Sequence, residues 1–435
     1  MITRFRWLIC ALLFFATTIN YMDRQILSLL KPILDDEIGW TNEQFGTVNA
    51  IFQGFYGLGL IGFGFLIDRF GVKSCYALSI TGWSLAAAAH AVVSTLFGFQ
   101  VARAILGLAE AGNYPGAVTA VAQWFPQRER AFAVSLFNSG ANVGAMIAPA
   151  LVPAIAYAWG WQTAFVVAGI AGLCCLILWI PLYSAPRDSK FTDAAEVAWI
   201  ESDPVVVQPR MPWRKLLGYR QTWSVLALKF FTDPVWYFYL IWLPDFFKKS
   251  RHLDIKGSWF YLVTLFGLIT VLSVAVAWFT GRLMTRGWDN TRARKTVMFG
   301  CALCALPILG VTQIGGLLGP GHEVAANWCI VSIIALAGAA HQGFSANLFS
   351  TVSDMFPKQA IASVTGLAGM AGCISGIGFP IFCGWILDRQ PGNAGYAILF
   401  GCCGFAYLIA FAINHLLAPR FDPVEEIQNS KIKNQ

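Results

Sequence analysis

Four charged residues lie inside two stretches of sequence that are otherwise apolar and long enough to cross a membrane. Asp23 and Arg24 are adjacent in the first stretch, and Arg103 and Glu110 lie seven residues apart in the other. A charge at bilayer depth is costly, so it normally faces an opposite charge or a water-filled path. Two arginines beside two carboxylates are typical of a site that binds a carboxylated solute and exchanges a proton.

The spacing of Arg103 and Glu110 limits the groups with which they can pair. On a helix, seven residues span about 10.5 Å along the axis and return to the same face. A direct salt bridge between the two is therefore excluded, and each must pair with a group on another helix. Arg24 offers a planar fork that matches a carboxylate. It either anchors the solute or forms a structural ion pair with Asp23 or Glu110.

The second half of the chain has its own polar residues in apolar surroundings. Lys229 and Asp233 are four residues apart, so they share a helix face and can pair. This pair either locks its helix or contacts the solute, and Pro234 would open the backbone beside it. His341 could titrate near neutral pH. We interpret it instead as a hydrogen-bonding residue that contacts the solute or the neighbourhood of Gln342.

The elements that hold these residues are predicted from composition and hydropathy. The chain is 57% hydrophobic and 12% charged, whereas soluble domains carry about 25% charged residues. A membrane span needs about 20 mostly apolar residues. The sequence predicts an all-α integral membrane protein with twelve transmembrane helices. The twelve segments are approximately 7–30, 45–67, 74–95, 98–122, 131–155, 162–184, 223–246, 258–282, 295–318, 325–349, 362–387 and 394–418.

A polar stretch in the middle of the chain separates six spans from six. Residues 192–201 within this stretch are predicted to form a short amphipathic helix capped by Thr192. The predicted organisation is an N-terminal six-helix bundle over 1–184, a cytoplasmic loop over 185–222, a C-terminal six-helix bundle over 223–418 and a cytoplasmic tail over 419–435.

Lysine and arginine are distributed unevenly between the loops. With both termini inside, 21 of the 30 fall in inner segments and 6 in outer ones, among them Lys31. Cytoplasmic loops of membrane proteins are enriched in these residues. Both termini are therefore predicted to be cytoplasmic, in a multi-pass protein of the cell membrane. The basic loop at 248–256 is an exception to the rule.

Several other classes of protein do not fit the sequence. The net charge of +7 follows from the basic inner loops and does not indicate a nucleic-acid partner. Cys301 and Cys304 are two of 11 cysteines, lie in an apolar run and have no histidine pairing typical of a metal site. No catalytic motif lies in a polar segment, so we expect neither enzyme activity nor a cofactor. The apolar run after Trp7 has no cleavage site and is expected to remain as the first span. We expect a monomer.

A short motif ends the second predicted span. Gly64 is followed by Asp68, Arg69 and Gly71. Glycines permit a tight turn, and the charges could contact neighbouring helix ends. This spacing, with six plus six spans and a charged central loop, resembles the major facilitator superfamily over essentially the whole chain. The resemblance implies two bundles that rock around a central cavity and give alternating access, with this loop as a gating element.

Longer motifs resemble the anion:cation symporter branch of that superfamily, which includes bacterial hexuronate and galactonate carriers. Residues 20–24 and 103–115 carry this resemblance in the first half. In the second half, residues 229–236, 340–342 and 366–371 resemble the hexuronate carriers.

The resemblance implies roles for the four charged residues of the first half. Glu110 is expected to bind the coupling proton. Asp23 is a second candidate, although some hexuronate carriers lack an acid at this position. Arg103 is expected to pair with Asp23, and Arg24 to bind the substrate carboxylate.

A hydroxylated acid also needs donors and acceptors at fixed points, with aromatic rings as platforms. Tyr21 and Tyr56 match aromatic positions of the galactonate carriers. Those carriers have a glutamine where this chain has Ala141, next to Asn142, which weakens galactonate as the substrate. The predicted substrate contacts are Arg24, Tyr21, Tyr56, Gln53, Asn142, Lys229, Trp236, His341 and Gln342.

These resemblances imply proton-coupled symport of a hexuronate such as glucuronate or galacturonate. The alternative is another organic anion, such as the aldonate galactonate. A proton-coupled antiporter has less support, because Ala148 and Pro149 are present where exporters usually have a Gly-Pro pair. Sodium remains open as the coupling ion.

Overall fold

The computed structural model describes residues 4–202, 213–253 and 255–424. In that part of the chain all regular secondary structure is helical. The α-helices are α1 (Phe5–Ile38), α2 (Asn42–Phe70), α3 (Val72–Ala89), α4 (Leu96–Glu110), α5 (Asn113–Trp124), α6 (Gln127–Trp159), α7 (Trp161–Leu182), α8 (Ala194–Ile200), α9 (Trp213–Leu216), α10 (Arg220–Arg251), α11 (Ile255–Thr285), α12 (Asn290–Ala305), α13 (Ile314–Leu318), α14 (Glu323–Met355), α15 (Lys358–Arg389) and α16 (Asn393–Leu417).

Nine helical segments of the described residues are long and apolar enough to cross a membrane. They correspond to α1, α2, α6, α7, α11, α12, α14, α15 and α16. The other three predicted spans are α3, the α4–α5 pair and α10. The helix α10 contains Lys229 and Asp233 within its length, which lowers its hydropathy. The all-α fold with twelve membrane-crossing segments is thus the one that the sequence predicted.

The predicted span 98–122 is broken in the structure. Its first part, α4, ends at Glu110, and α5 begins at Asn113 after a two-residue turn. Asn113 accepts a hydrogen bond from the Tyr76 hydroxyl at 2.7 Å, and its amide nitrogen lies 3.4 Å from the Thr17 hydroxyl. These bonds fix the turn against α1 and α3. They leave Glu110, a predicted site residue, at the end of a helix.

Two predictions about local structure are wrong in detail. The amphipathic helix in the central loop exists, but its N-cap is Asp193, whose carboxylate accepts a hydrogen bond from the Glu196 backbone at 2.7 Å. The predicted cap, Thr192, donates instead to the Pro186 carbonyl at 2.9 Å. Lys31, predicted to lie in an outer loop, is fully buried within α1. Its ammonium group bonds Asp35 at 2.6 Å, and α1 continues beyond both residues to Ile38.

The chain divides into two compact units. The N-terminal unit is Met1–Val206 with Asp254–Phe260, and the C-terminal unit is Val207–Leu253 with Tyr261–Gln435. One boundary falls within the polar stretch 185–222, and the segment 254–260, from the predicted C-terminal bundle, is grouped with the N-terminal unit. In the N-terminal unit α1 packs on α6, α2 on α4, and α3 on α7. In the C-terminal unit α10 packs on α15 and α16, and α12 packs on α14.

Glycines allow the helices of the N-terminal unit to approach closely where they hold the site. A Cβ atom on Gly107 of α4 would lie 2.4 Å from the Phe52 carbonyl oxygen of α2. A Cβ on Gly144 of α6 would lie 2.4 Å from the Thr18 carbonyl oxygen of α1. No side chain fits at either crossing. Because Gly107 lies between Arg103 and Glu110 in sequence, its contact presses this part of α4 against α2.

Candidate functional site

The centre of the candidate site is an ion pair between α1 and α4. Arg24 Nε lies 2.7 Å from Glu110 Oε2. The Glu110 side chain is fully buried, and that of Arg24 is 14% exposed. Of the two partners considered for Arg24, the structure therefore selects Glu110. A charge-assisted hydrogen bond of this length in low-dielectric surroundings is strong.

Three aromatic rings surround the Arg24 guanidinium. Its central carbon lies 4.4 Å from the ring centroid of Tyr56, 4.8 Å from that of Tyr21 and 5.4 Å from that of Phe52. Cations are attracted to the faces of aromatic rings at such distances. Tyr21 and Tyr56, both predicted site residues, thus hold Arg24 beside Glu110.

The ion pair expected between Asp23 and Arg103 is not formed. Both side chains are almost completely buried, at 1% exposure each. They lie within electrostatic range of each other. Yet both oxygens of Asp23, and Nε and Nη2 of Arg103, have no hydrogen-bond partner among the described residues. The Arg103 guanidinium instead lies 5.6 Å from the centroid of Phe52. That ring therefore contacts both site arginines.

Further buried polar atoms near these charges also have no protein partner within the described chain. They belong to Asn20, Gln53 and the second carboxylate oxygen of Glu110. Each of these residues is at most 3% exposed. Buried polar atoms are nearly always hydrogen-bonded to protein, water or a ligand. A cluster of unpaired donors and acceptors around charged groups is what a hydrated binding site for a polar solute requires.

Asn142 and the loop motif lie outside this cluster of contacts. Asn142 is partly buried in α6, two residues before Gly144. In the loop motif, the Gly71 backbone N–H bonds the Ile67 carbonyl, and its φ of +81° is a conformation that favours glycine. Asp68 and Arg69 are exposed, and neither forms an ion pair within the described N-terminal unit.

The predicted residues of the C-terminal unit form a second cluster. Lys229 Nζ and Asp233 Oδ1 lie 2.7 Å apart, as their spacing predicted. A Cβ on Gly372 of α15 would lie 2.1 Å from Asp233 Oδ2, so a larger residue there would require this carboxylate to move. Lys229 is within electrostatic range of His341. The His341 ring stacks on Trp236 with ring centroids 5.2 Å apart and planes 8° apart.

His341 has a hydrogen-bond partner that the sequence did not suggest. Its Nδ1 lies 2.9 Å from the hydroxyl of Tyr407 in α16. The neighbouring Gln342 is partly buried. Within the protein, the hydrogen bond of His341 thus goes to another helix, and its predicted contact with the solute stays a prediction.

Comparison with known proteins places the chain in a family. The Major Facilitator Superfamily profile matches residues 13–380. The chain belongs to the Major Facilitator Superfamily. It is therefore a multi-pass membrane transporter and not an enzyme. A solved structure with this fold is a bacterial homologue of the human lysosomal transporter Spinster, described as inward-facing and unoccupied. It is 16% identical, covers 96% of this chain and 98% of its own, and has a TM-score of 0.71.

Curated relatives in the superfamily carry sugar acids. The hexuronate transporter of Escherichia coli (strain K12) is 27% identical over 405 residues, covering 91% of this chain and 90% of the relative. The probable galactarate/D-glucarate transporter GudP of Bacillus subtilis (strain 168) is 28% identical over 436 residues, covering 94% and 92%. Similarity to these proteins supports transport of a sugar acid as the broad activity.

Sequence reasoning missed two residues of this superfamily member that touch the site. Phe52 lies four residues before Tyr56, so the helical period places both on one face of α2. That spacing could have revealed Phe52. Tyr407 lies in an apolar segment remote in sequence from the other candidates, and no local pattern distinguishes it from a core aromatic residue.

Proposed function

We propose that this transporter carries a hexuronate, such as glucuronate or galacturonate, across the membrane together with a proton. The observation that carries the proposal is the Arg24–Glu110 ion pair within the rings of Tyr21, Tyr56 and Phe52. An arginine held in this way is positioned to bind a carboxylate, and its protein partner is a carboxylate that the substrate can replace. The similarity to a hexuronate transporter supports the same substrate class.

Exchange of partners at Arg24 would couple the solute to the proton. When the substrate carboxylate binds Arg24, Glu110 loses its counterion while it is still buried. A buried carboxylate without a counterion favours its neutral form. A proton then binds Glu110, or Asp23 beside it, so that no uncompensated charge remains.

Charge balance supports this order of events. Asp23, Arg24, Arg103 and Glu110 together carry no net charge. Addition of one carboxylate and one proton leaves the sum at zero, so the loaded site can change conformation without exposing a bare charge to a low dielectric. Release of the proton at higher pH would restore the Arg24–Glu110 pair and expel the solute.

Hydroxyl groups of the solute would be recognised by the other polar side chains. In the N-terminal unit we propose Tyr21, Tyr56 and Gln53 as contacts, with Asn142 farther along α6. In the C-terminal unit the proposed contacts are Lys229, Trp236, His341 and Gln342.

A second candidate substrate is an aldarate, a sugar acid with two carboxylates. It is favoured by the similarity to GudP and by Arg103, whose Nε and Nη2 have no partner among the described groups. A second carboxylate would satisfy this guanidinium, and a second proton, on Asp23 or Glu110, would then be needed to keep the loaded site neutral. An aldonate such as galactonate has only one carboxylate, as a hexuronate does, and does not offer this second contact.

Uptake into proteoliposomes tests the proposal. Radiolabelled glucuronate and galacturonate would be supplied with an inward proton gradient. The competitors would be the two unlabelled hexuronates, galactarate, galactonate and a monocarboxylate without hydroxyls. We expect gradient-dependent hexuronate uptake that sugar acids inhibit and the simple monocarboxylate does not. Stronger inhibition by galactarate than by either hexuronate would favour the aldarate. Uptake that does not depend on the proton gradient would contradict the proposal. Export of the solute when the gradient is imposed would contradict it as well.

A further inference from the structure

Aromatic side chains from two other helices of the C-terminal unit pack on His341. Trp236 of α10 stacks on the imidazole of His341 in α14. Tyr407 of α16 approaches the same imidazole edge-on, with ring centroids 6.1 Å apart and planes at 72°. Phe344, three residues after His341, packs against the Tyr407 ring at 5.6 Å. These contacts set the plane of the imidazole ring and the direction in which its edge points.

Burial of the Tyr407 hydroxyl favours one direction for its hydrogen bond with His341. The Tyr407 side chain is fully buried, and its hydroxyl bonds His341 Nδ1 at 2.9 Å. Among the described residues that hydroxyl has no other hydrogen bond. If it only accepted from Nδ1, its own proton would be buried without an acceptor, which is unfavourable. This cost favours the arrangement in which the hydroxyl donates and Nδ1 accepts.

A histidine that accepts at Nδ1 carries its proton on Nε2. We infer that Tyr407 is a positioning residue, which holds neutral His341 in the Nε2–H tautomer so that the ring presents one N–H donor to an oxygen of the bound sugar acid. The Trp236 stack sets the plane in which this donor lies. This inference rests on the proposed function for its substrate, whereas the position of the proton depends on the protein alone.

A fixed tautomer has a consequence for specificity. A fixed N–H donor recognises a hydroxyl or carboxylate oxygen at one place and rejects an analogue in which that oxygen is missing. Without the Tyr407 hydroxyl, the ring could also adopt the Nδ1–H tautomer. Its Nε2 would then be an acceptor, and discrimination against the deoxy analogue would fall.

Two substitutions separate this role from a packing role. Tyr407→Phe removes only the donating hydroxyl. Tyr396→Phe is the matched control, because Tyr396 is equally buried in the same helix and its hydroxyl bonds Asp245 instead of His341. Full-length protein labelled with 15N-histidine would be reconstituted in bilayers, and the His341 signals assigned by their loss in His341→Gln.

The nitrogen spectrum decides where the proton lies. We expect a protonated Nε2 and an unprotonated Nδ1 for His341 in the wild type and in Tyr396→Phe, and a mixture of tautomers in Tyr407→Phe. In uptake assays Tyr407→Phe should raise KM about fivefold to tenfold, as for loss of one hydrogen bond, with kcat little changed. The same substitution should have no further effect in the His341→Gln background.

The possible negative results of these experiments lead to different conclusions. A wild-type spectrum with the proton on Nδ1 would overturn the inference. The expected spectrum with an unchanged KM in Tyr407→Phe would also overturn it, because the tautomer would then have no effect on binding. If the wild type took up no sugar acid, the proposed function would fail, while the spectrum would still decide which nitrogen is protonated.

Discussion

At the scale of single residues, the proposed coupling depends on one guanidinium and two carboxylates that compete for it. Arg24 is paired with Glu110 at 2.7 Å and is enclosed by aromatic rings. The solute must displace Glu110 to bind there. Glu110 is therefore both the group that holds the empty site and the group that takes up a proton when the site is loaded.

Replacement of Glu110 by glutamine separates transport from coupling. Glu110→Gln keeps the shape and one acceptor oxygen but cannot take up a proton at neutral pH. We expect loss of proton-driven accumulation, while exchange of labelled for unlabelled solute continues. The two modes would be compared in the same proteoliposomes. Wild-type accumulation by this variant would remove Glu110 as the coupling residue.

Replacement of Arg24 should abolish binding. Arg24→Ala leaves the substrate carboxylate without its partner, and loss of a buried charged hydrogen-bonded pair costs about 3 kcal/mol or more. Affinity should fall at least about a hundredfold, as measured by solute-induced changes in tryptophan fluorescence. The control is Arg286→Ala, since Arg286 is exposed at the end of α11. Equal affinity in the two variants would show that Arg24 is not the anchor.

The residue types in the site could be predicted, but their pairing could not. Asp23, Arg24, Arg103 and Glu110 stand out because a charge inside an apolar span is costly and is rarely present without a function. Which acid meets which arginine depends on the relative rotation of α1 and α4 and on the ring of Phe52 between the arginines. A single sequence contains no direct record of that rotation.

At the scale of elements, the short helix α8 has a clear structural task. Glu196, which is fully buried, accepts hydrogen bonds from the backbone N–H groups of Phe5 and Arg6 at 3.2 and 3.1 Å. Its carboxylate also lies 3.0 Å from Arg6 Nη1. A carboxylate at the N-terminus of a helix satisfies free N–H groups and complements the helix dipole. The central loop thus caps α1, the helix that carries Asp23 and Arg24.

Removal of this cap should destabilise the protein. Glu196→Ala leaves two amides and part of the Arg6 charge without a partner, so we expect the free energy of unfolding to fall by about 2 kcal/mol or more. The melting temperature of the detergent-solubilised protein would report the loss. An unchanged melting temperature would contradict the assigned role.

Glu201→Ala is the control for that experiment, because Glu201 pairs with Arg187 on the surface. Its hydrogen bond with Arg187 lowers the pKa of Glu201. Any contribution of this pair is therefore present at neutral pH and is lost as the pH falls through the folded-state pKa. Since both groups are exposed, we expect the control to melt close to the wild type at every pH.

Close helix contact at Gly107 should be as important for transport as the charges themselves. A Cβ in Gly107→Ala would lie 2.4 Å from the Phe52 carbonyl, so α4 must move away from α2. Overpacking of this kind lowers the free energy of unfolding by about 1–3 kcal/mol. Because Arg103 and Glu110 are also displaced, we expect uptake to fall by more than any loss of folded protein explains. The matched control is Gly62→Ala in α2, where a Cβ would meet nothing within 4 Å. Equal uptake by the two variants would contradict this view.

Most elements could be predicted, because long apolar runs separated by polar loops determine where membrane helices lie. The break between α4 and α5 was missed. It depends on the bonds of Asn113 with Tyr76 and Thr17, which come from other helices. The cap of α8 was displaced by one residue, because Asp193 and Thr192 are both good caps and only the folded loop decides between them.

At the scale of the whole molecule, the chain is a twelve-span transporter of the Major Facilitator Superfamily, and its substrate class is proposed from the site. Composition and the six-plus-six pattern predicted that architecture. The identity of the coupling ion depends on the complete transport cycle. It follows from the balance of charge in the loaded site and has to be measured on the intact protein.

Proton movement driven by the substrate is the most direct test of coupling through Glu110. Proteoliposomes containing the full-length transporter and a trapped pH-sensitive dye would receive glucuronate or galacturonate with no imposed pH gradient. We expect internal acidification that accompanies uptake of the solute and is absent in Glu110→Gln. Solute uptake by the wild type without acidification would contradict proton-coupled symport.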